Sequence, residues 1–263
     1  MTRMKTFFRS ASLAAALLCG TAQAQVSIGA GGTLALGGGT LSTGCADVTV
    51  AGTSTLASGI LIGVRNLVVS AGGLLDAGSG VIDISGDFGQ FGTFTPGTSR
   101  FASSDGCGSV STTLSGSSVF YDFAVITVSG RSLIFPPALT QNVAHALTLS
   151  GSAGNLLAIR SVNAGQAGLL DLAAGGTQSI AYVDVKDNHA TGQPLAHGTP
   201  TSFNSVDSGD SNGWFLNAIT TMATVVPAPM LGVAGLILLG LFAGLVAMRI
   251  LAIVSREDGC RSR

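Results

Sequence analysis

Charged residues, and glutamate above all, are scarce in this chain. Of its 263 residues 10% are charged, against roughly 25% in an average soluble domain, and its single glutamate is Glu257. Proline occurs only 7 times, and the 38 glycines follow no three-residue period, which excludes a collagen-like triple helix. So little charge beside 46% hydrophobic residues excludes a charged disordered protein and a charged helical bundle. A β protein rich in glycine, serine and threonine remains.

The N-terminal segment, residues 1–24, has the features of a secretory signal peptide. Its first nine positions hold three basic residues, an apolar run follows, and Ala22 and Ala24 form an A-x-A site. The run is too short to span a bilayer, which needs about 20 apolar residues. The sequence therefore predicts export, with cleavage between Ala24 and Gln25.

A second apolar segment lies near the C-terminus. Residues 230–248 carry no charge over 248 − 230 + 1 = 19 positions, and the tail after them, residues 249–263, holds four arginines. This pattern predicts one transmembrane helix over 230–248, joined by a linker (217–229) to an exported domain (25–216). The positive-inside rule places the basic tail in the cytoplasm and the domain outside the membrane.

A short proline motif directly precedes this apolar segment. The C-terminal region has, in order, Val226-Pro227-Ala228-Pro229, a span rich in glycine and leucine, and then Arg249 and further arginines. This arrangement resembles the tail of PEP-CTERM proteins. The resemblance covers about residues 225–263 and implies a bacterial envelope protein whose tail an exosortase recognises and cuts. The chain departs from that family at Ala228, where the family has glutamate. A plain membrane anchor, with prolines that merely stop the chain before a helix, is the alternative.

The region between the terminal segments is mildly acidic. Residues 25–226 contain five basic groups and eleven aspartates, a formal balance of 5 − 11 = −6. No basic patch is available to meet phosphates, so nucleic acid is not an expected partner.

Short β-favouring runs separated by glycine and serine turns fill this region. Each has three to five residues, and β-branched residues are frequent among them. We predict an all-β fold, a right-handed parallel β-helix (β-solenoid) of about ten coils with roughly 20 residues each, on the order of 50 Å long. Irregular spacing of the runs keeps a β-sandwich as the alternative. The runs are 48–50, 67–69, 81–84, 125–128, 147–149, 156–159, 169–172 and 182–185.

The segment from Gly86 to Arg160 resembles repeats of bacterial surface β-helix proteins. Its Gly-Thr-Phe-Thr-Pro-Gly-Thr and Thr-Leu-Ser-Gly-Ser-Ser-Val-Phe-Tyr-Asp-Phe stretches carry that loose resemblance. The resemblance implies a surface protein and brings no catalytic residues with it.

Two cysteines, Cys45 and Cys107, lie in the exported domain, and export permits a disulfide. They are 107 − 45 = 62 residues apart, about three coils or roughly 14 Å along the stack, whereas a disulfide needs Cα atoms about 4.4–6.8 Å apart. Both stand in glycine-rich segments that can form corner loops folding toward each other. The sequence does not decide between a Cys45–Cys107 disulfide and two free thiols. If the disulfide forms, we expect it to be evidence against a plain solenoid.

Metal-binding signals are weak. Asp184, Asp187, Asp210 and Asn212 supply oxygen side chains near turns, and Ca²⁺ wants six to eight oxygens. The 208–213 segment has part of a calcium-loop rhythm but lacks the bidentate glutamate, since Ile219 occupies that position. Asp and Asn turns usually cap their own backbone, so no cofactor is predicted. The 208–213 segment is better explained as a polar turn before aromatics, Trp214 and Phe215, that close the last coil.

Few residues of the exported domain are suited to catalysis. Glycoside hydrolysis needs two carboxylates, and the close aspartate pairs are 83 with 87, 184 with 187, and 207 with 210. Lys186, on the same strand face as Asp184, is the residue closest to the base that a lyase needs.

Two histidines are expected to have structural positions. His145, which alternates with Val143 and Leu147, is expected to be a packed or surface strand residue, and His197 is expected to be solvated.

Aromatic platforms for sugar are also sparse. Phe88, Phe91 and Phe94 are spaced by three, which sends successive rings to opposite strand faces, so at least one is expected in the core.

These observations predict a non-enzymatic, exported cell-envelope protein, anchored or sorted by its C-terminus, with a structural or adhesive role at the surface or in the extracellular matrix. The expected partners are the membrane, an exosortase-type enzyme and envelope polysaccharide. The competing class is an exported polysaccharide lyase or hydrolase on the same scaffold.

Overall fold

The computed structural model describes residues 25–216, which fold into a β-solenoid. The first strands are β1 (Gln25–Ile28), β2 (Thr33–Ala35), β3 (Thr40–Ser42), β4 (Asp47–Val50), β5 (Thr53–Thr55), β6 (Ile60–Val64), β7 (Leu67–Val69) and β8 (Leu74–Asp76). The middle strands are β9 (Val81–Ile84), β10 (Phe88–Gln90), β11 (Thr93–Thr95), β12 (Arg100–Ser104), β13 (Ser111–Ser115), β14 (Val119–Ile126), β15 (Arg131–Phe135) and β16 (Thr140–Ser150). The last are β17 (Leu157–Ser161), β18 (Gly168–Leu172), β19 (Thr177–Ala181), β20 (Val183–Lys186), β21 (Asn188–Ala190), a 3₁₀ turn (Pro200–Phe203) and β22 (Val206–Gly209).

Three sheets form the walls of the solenoid. The first sheet has the order β1-β4-β7-β10-β13-β15-β17-β20-β22, the second has β2-β5-β8-β11, and the third has β3-β6-β9-β12-β14-β16-β18-β21, with β19 also beside β16. Each early coil contributes one strand to each sheet, and we number the coils by their first-sheet strands. The pairings between these strands are parallel, which excludes the antiparallel β-sandwich alternative.

The nine first-sheet strands are separated by eight steps, so the solenoid makes about eight full turns, fewer than the ten coils expected from the sequence. The coils differ in length, because the step along the chain from Phe88 to its partner Leu114 is longer than the step from Val48 to its partner Leu67. Longer corner loops in the later coils absorb the difference. Eight steps of about 4.8 Å make the stack about 40 Å long.

Strand alternation decides which side chains enter the core. In β9, Ile82 and Ile84 are fully buried, while Asp83 between them faces outward. Glycine is required at the corners where one coil lies directly on the next. A Cβ at Gly52 or Gly92 would lie within 3.0 Å of carbonyl oxygens of the preceding coil. This close stacking accounts for part of the high glycine content.

A cluster of phenylalanines fills the core of coils 4 and 5. Phe88 packs on Phe101 with ring centroids 4.7 Å apart, and Phe120 stacks on Phe123 at 4.6 Å. Phe94 joins this cluster, whereas Phe91 is 62% exposed. The expectation that at least one member of the Phe88–Phe91–Phe94 set is in the core is therefore confirmed for two of them.

The C-terminal end of the described region is closed by aromatic residues. Trp214 and Phe215 are buried, and the Trp214 Nε1–H donates to Asn188 Oδ1 at 3.1 Å. Phe203, from the 3₁₀ turn, packs near Phe215 with centroids 6.4 Å apart. Residues 25–216 contain no helix long and apolar enough to cross a membrane, and the predicted span over 230–248 lies outside the described residues.

Candidate functional site

A shallow groove of about 170 Å³ lies on the outer face of the third sheet. Its floor includes Ala102 and Ala124, which are neighbours in the β12–β14 register. Because alternation turns these two small side chains outward, the surface is recessed between larger neighbours. Asp83, Arg100 and Ile126 line the groove around that floor.

A row of polar and aromatic side chains continues from this groove. Arg100, which lines it, stands in register with Asp122 on the next coil. The Asp122 Oδ1 lies 2.7 Å from the His145 Nδ1, one coil further. The Tyr121 ring stacks on the His145 ring with centroids 4.7 Å apart and an interplanar angle of 14°. We call Arg100, Tyr121, Asp122 and His145 the outer cluster.

The position of His145 departs from simple alternation. Val143 and Leu147 are buried, yet His145 is exposed, with 52% of its side chain accessible. The β14–β16 register shifts between Phe120 and Asp122, which marks a bend where the second and third walls merge into one long strand. That bend turns His145 outward, so of the two expected strand positions the surface one is confirmed.

The outer cluster combines groups suited to a polyhydroxylated ligand. The Asp122 carboxylate accepts hydrogen bonds, the Arg100 guanidinium donates them, and the His145 ring does either according to its tautomer. The stacked Tyr121 and His145 rings offer a flat apolar surface with polar tips. Converging polar groups beside an apolar surface are common in ligand-binding sites, but this groove is smaller than the usual small-molecule pocket of about 300–1,000 Å³.

The two members of each aspartate pair considered for catalysis lie in different surroundings. Asp83 faces out of the third sheet and accepts from Ser104 Oγ at 2.9 Å, while Asp87 lies at a corner and accepts the Thr113 N–H at 2.7 Å. Asp184 pairs with Arg160 rather than with Lys186. Asp187 is a buried corner residue in the left-handed backbone region.

Two of the four oxygen side chains considered for Ca²⁺ bind other protein groups. Asp184 Oδ1 accepts from Ser208 Oγ at 2.6 Å, and Asp210 Oδ1 lies 2.7 Å from His189 Nε2. Asp207 accepts the Gly209 N–H, as a turn aspartate does. Asn212 lies in the same turn, where its backbone carbonyl accepts the Ala190 N–H. Within residues 25–216 no group of three or more His, Cys, Asp or Glu residues is arranged to hold a metal ion. His197 is exposed, as expected.

Cys45 and Cys107 form a disulfide, with Cα atoms 5.3 Å apart. Both stand in loops that connect the third sheet to the first, three coils apart. The Cys45 loop leans over coil 2, since the Cys45 N–H donates to the Gly63 carbonyl at 2.6 Å. The Cys107 loop leans back over the preceding coil, where a Cβ on Gly106 would lie 2.8 Å from Ser85 Oγ. The disulfide and the solenoid are therefore present together. The expectation that the disulfide would be evidence against a plain solenoid was wrong.

A buried arginine supports the loop that carries Cys107. Arg131 is only 4% exposed, and its guanidinium donates to the carbonyls of Ser104 and Ser111, which flank this loop. It also donates to the Ser85 carbonyl and to Thr112 Oγ1. Burial lowers the pKa of Arg131, and the nearby charges of Asp105, Asp83 and Asp87 oppose that shift.

Aspartates also hold successive coils together along the same edge. Asp47 Oδ1 accepts from the Asn66 N–H at 3.2 Å and from the Arg65 Nε–H at 2.9 Å. These bonds, led by the one from Arg65, lower the pKa of Asp47. Asn66 Oδ1 in turn accepts the Asp87 N–H at 2.8 Å. These hydrogen bonds link successive coils along the edge between the third and first sheets, so their role is structural.

The remaining predicted site residues lie outside the described region. These are the cleavage-site residues Ala22 and Ala24 and the sorting-motif residues Val226, Pro227, Ala228, Pro229 and Arg249. Gln25, on the other side of the predicted cleavage point, begins β1.

Sequence reasoning missed the outer cluster and Arg131. One signal was available, because Arg100, Asp122 and His145 follow one another along the chain at intervals close to the length of one coil. No sequence signal pointed to Arg131, because its partners are mostly backbone carbonyls, which any residue type can supply. Comparison with protein-family models, with curated proteins and with solved structures finds no match to this chain.

Proposed function

We propose that this chain is an exported cell-envelope protein with a structural or adhesive role. The observation that carries the proposal is the β-solenoid whose corner is tied by Cys45 and Cys107. Disulfides persist in oxidising compartments outside the cytosol, and a stacked solenoid presents long, repetitive outer faces. We take the coil to be right-handed, as parallel crossover connections are in about 98% of cases.

Export and anchoring come from the terminal segments. In this proposal residues 1–24 are removed as a signal peptide, residues 230–248 span the membrane, and an exosortase-type enzyme acts at the motif from Val226 to Pro229. Cleavage before Gln25 leaves β1 intact, because that strand begins at Gln25. The plain anchor predicts the same topology without loss of the tail.

Intact mass of the protein from the membrane and extracellular fractions tests this part. A chain that begins at Gln25 and ends near Pro227 supports export and sorting. A variant with Pro227 and Pro229 both changed to alanine should then keep its tail. A wild-type chain that retains Arg263 contradicts sorting, and one that retains residues 1–24 contradicts signal cleavage.

For the adhesive role we propose envelope polysaccharide as the ligand and the outer cluster with its groove as the binding surface. The flat Tyr121–His145 pair suits the apolar face of a sugar ring, while Asp122 and Arg100 meet hydroxyl groups. The mixed signs of charge in the outer cluster favour neutral or weakly charged sugars over highly charged ones.

Binding of the purified protein to polysaccharide from the same cell envelope tests this surface. Tyr121→Ala should weaken binding about tenfold, the change expected for loss of one stacking contact of about 1.4 kcal/mol. Tyr182→Ala is the matched control, since Tyr121 and Tyr182 are the two tyrosines of the chain. Equal binding by Tyr121→Ala and the wild type would contradict the assignment.

A second candidate function is cleavage of polysaccharide at the same surface. The Asp122–His145 pair favours it, since a carboxylate that orients a histidine is a common general-base arrangement. Sugar release from envelope polysaccharide that disappears in His145→Gln and persists in His189→Gln would support an enzyme. Absence of release by the wild type leaves the structural and adhesive role.

A further inference from the structure

The two ends of the solenoid differ in how their cores are covered. The C-terminal end of the described region is closed by Trp214 and Phe215. In coil 1, by contrast, the inward side chains of Val26, Leu34 and Leu41 remain partly exposed. Their partners on coil 2 are each 2–3% exposed: Val48, Ser54 and Leu61. Among residues 25–216, coil 1 therefore presents an incompletely covered apolar end.

The backbone at this end also has free hydrogen-bonding groups. Around β2 the Leu36 N–H donates to the Thr55 carbonyl, and the Gly32 carbonyl accepts the Thr53 N–H, both at 2.9 Å. Alternate residues of a strand point to opposite neighbours, so Thr33 and Ala35 direct their N–H and C=O groups away from coil 2. Among residues 25–216, no strand pairs with this outer edge of β1, β2 or β3.

Within the part of the chain that the structure describes, this edge lacks the features that normally protect an exposed strand edge. Proteins protect such edges with charged side chains, proline, bulges or a covering segment. Residues 25–46 contain no charged residue and no proline, and the first charge after Gln25 is Asp47, on coil 2. Three unprotected strands around an open apolar core form a surface suited to strand pairing.

We propose that the N-terminal end of the solenoid docks against the same end of a second copy of this chain. The partner's edge is equally uncharged, so two copies bring no like charges together. Its Val26, Leu34 and Leu41 would cover the same residues of the first copy, as coil 2 does on the other side. The docking rests on the removal of residues 1–24 proposed above, because those residues directly precede β1 at the docking end.

The closed C-terminal end determines the geometry of this pairing. A head-to-tail contact would place coil 1 against the aromatic cap around Trp214 and, repeated, would build an open filament. A head-to-head contact uses the same surface on both copies and closes after two. The expected assembly is a two-fold dimer with the C-terminal ends of the two solenoids pointing apart.

Sedimentation equilibrium of the exported protein in mild detergent, with its N-terminus at Gln25 checked by intact mass, tests the proposal. Leu34→Lys places an inward-pointing charge in the docking surface, and Ala35→Pro removes an N–H that coil 2 does not use. Each change occurs twice in a two-fold dimer, so each should weaken dimerisation at least about a hundredfold. Leu216→Lys, at an exposed position of the opposite end, is the control and should leave the dimer unchanged.

Each outcome either supports or overturns the head-to-head contact. A dimer that both edge variants dissociate and Leu216→Lys preserves supports it. A monomeric wild type overturns it, and so does a dimer that Ala35→Pro leaves intact, which would then form through other segments. Concentration-dependent polymers that Leu216→Lys abolishes overturn it in favour of head-to-tail stacking. If Leu34→Lys fails to fold, shown by loss of the β circular dichroism signal, Ala35→Pro alone decides.

Discussion

Cys45 and Cys107 are bonded across three coils of the solenoid, with Cα atoms 5.3 Å apart at a sequence separation of 62. The loops that carry them lean toward each other over the intervening corners, where Arg65 and Asn66 form a short connection between β6 and β7. The bond therefore links coil 1 to coil 4, beyond the reach of the contacts between neighbouring coils. It connects the first coil of the described region to the coil that holds part of the phenylalanine cluster.

The first prediction is that this bond contributes strongly to stability. Loss of a cross-link that closes a loop of this length is expected to cost about 4 kcal/mol. The variant with Cys45 and Cys107 both changed to serine should therefore unfold at markedly lower urea concentration. Cys260→Ser is the control and should match the wild type. Free thiols at Cys45 and Cys107 of the wild type, located by alkylation and peptide mapping, would contradict the bond.

The second prediction concerns the buried guanidinium of Arg131. Arg131→Met removes the donor to the Ser104 carbonyl and one of two donors to the Ser111 carbonyl, which keeps Ser109 Oγ. One unsatisfied buried group costs about 1–3 kcal/mol. Arg131→Lys should lose less, because an ammonium can still serve part of this set. Arg100→Met, at an exposed arginine, should change the free energy of unfolding by less than about 0.5 kcal/mol. Equal stability of the Arg131 and Arg100 variants would contradict the supporting role.

The third prediction compares two phenylalanines three positions apart. Phe88 is fully buried among other rings, so Phe88→Ala should lower the free energy of unfolding by about 3–5 kcal/mol. Phe91 is 62% exposed, and Phe91→Ala should have little effect. Chemical denaturation of both variants measures the difference. Similar losses would mean that Phe91 also lies in a core.

The fourth prediction is a loss of stability in acid. Burial opposes the shift of Asp105, yet bonds from Thr127 Oγ1 and from the Val128 and Ser129 N–H groups lower its pKa, as the bond from Arg65 lowers that of Asp47. A carboxyl group whose pKa is depressed on folding stabilises the protein above its unfolded pKa, about 3.9. This contribution is lost as pH falls through the folded pKa.

Thermal unfolding between pH 7 and pH 2 measures this effect. The melting temperature should fall progressively below about pH 4. Asp105→Asn should melt lower than the wild type at pH 7 and show a smaller further loss in acid. An identical pH dependence in the variant and the wild type would contradict a role for Asp105.

Much of the fold could be predicted because the interior repeats a simple pattern. All eight predicted runs coincide with or overlap strands, since β-branched and leucine residues alternate there with outward positions. Strands such as β2, β5 and β11 went unrecognised. They are three residues long and rich in threonine, and neighbouring coils rather than local propensity hold them in place.

The outer cluster could not be predicted from local pattern. Arg100, Asp122 and His145 come from three coils, and a bend in β14 and β16 turns the histidine outward. The coils vary in length, so spacing alone does not tell which side chains become neighbours. The pairing register between neighbouring coils has to be known before these three side chains can be recognised as neighbours.

The sequence by itself determined the all-β class, the parallel solenoid as the favoured architecture, and the scarcity of titratable groups in the body of the chain. These follow from composition and from short-range alternation, which act on each segment separately. Only the tertiary structure decided that Cys45 meets Cys107, that Arg131 is buried beside the Cys107 loop, and that no strand among residues 25–216 covers the outer edge of coil 1. Those relations depend on how loops lean across stacked coils, and no residue specifies that without its neighbours in space.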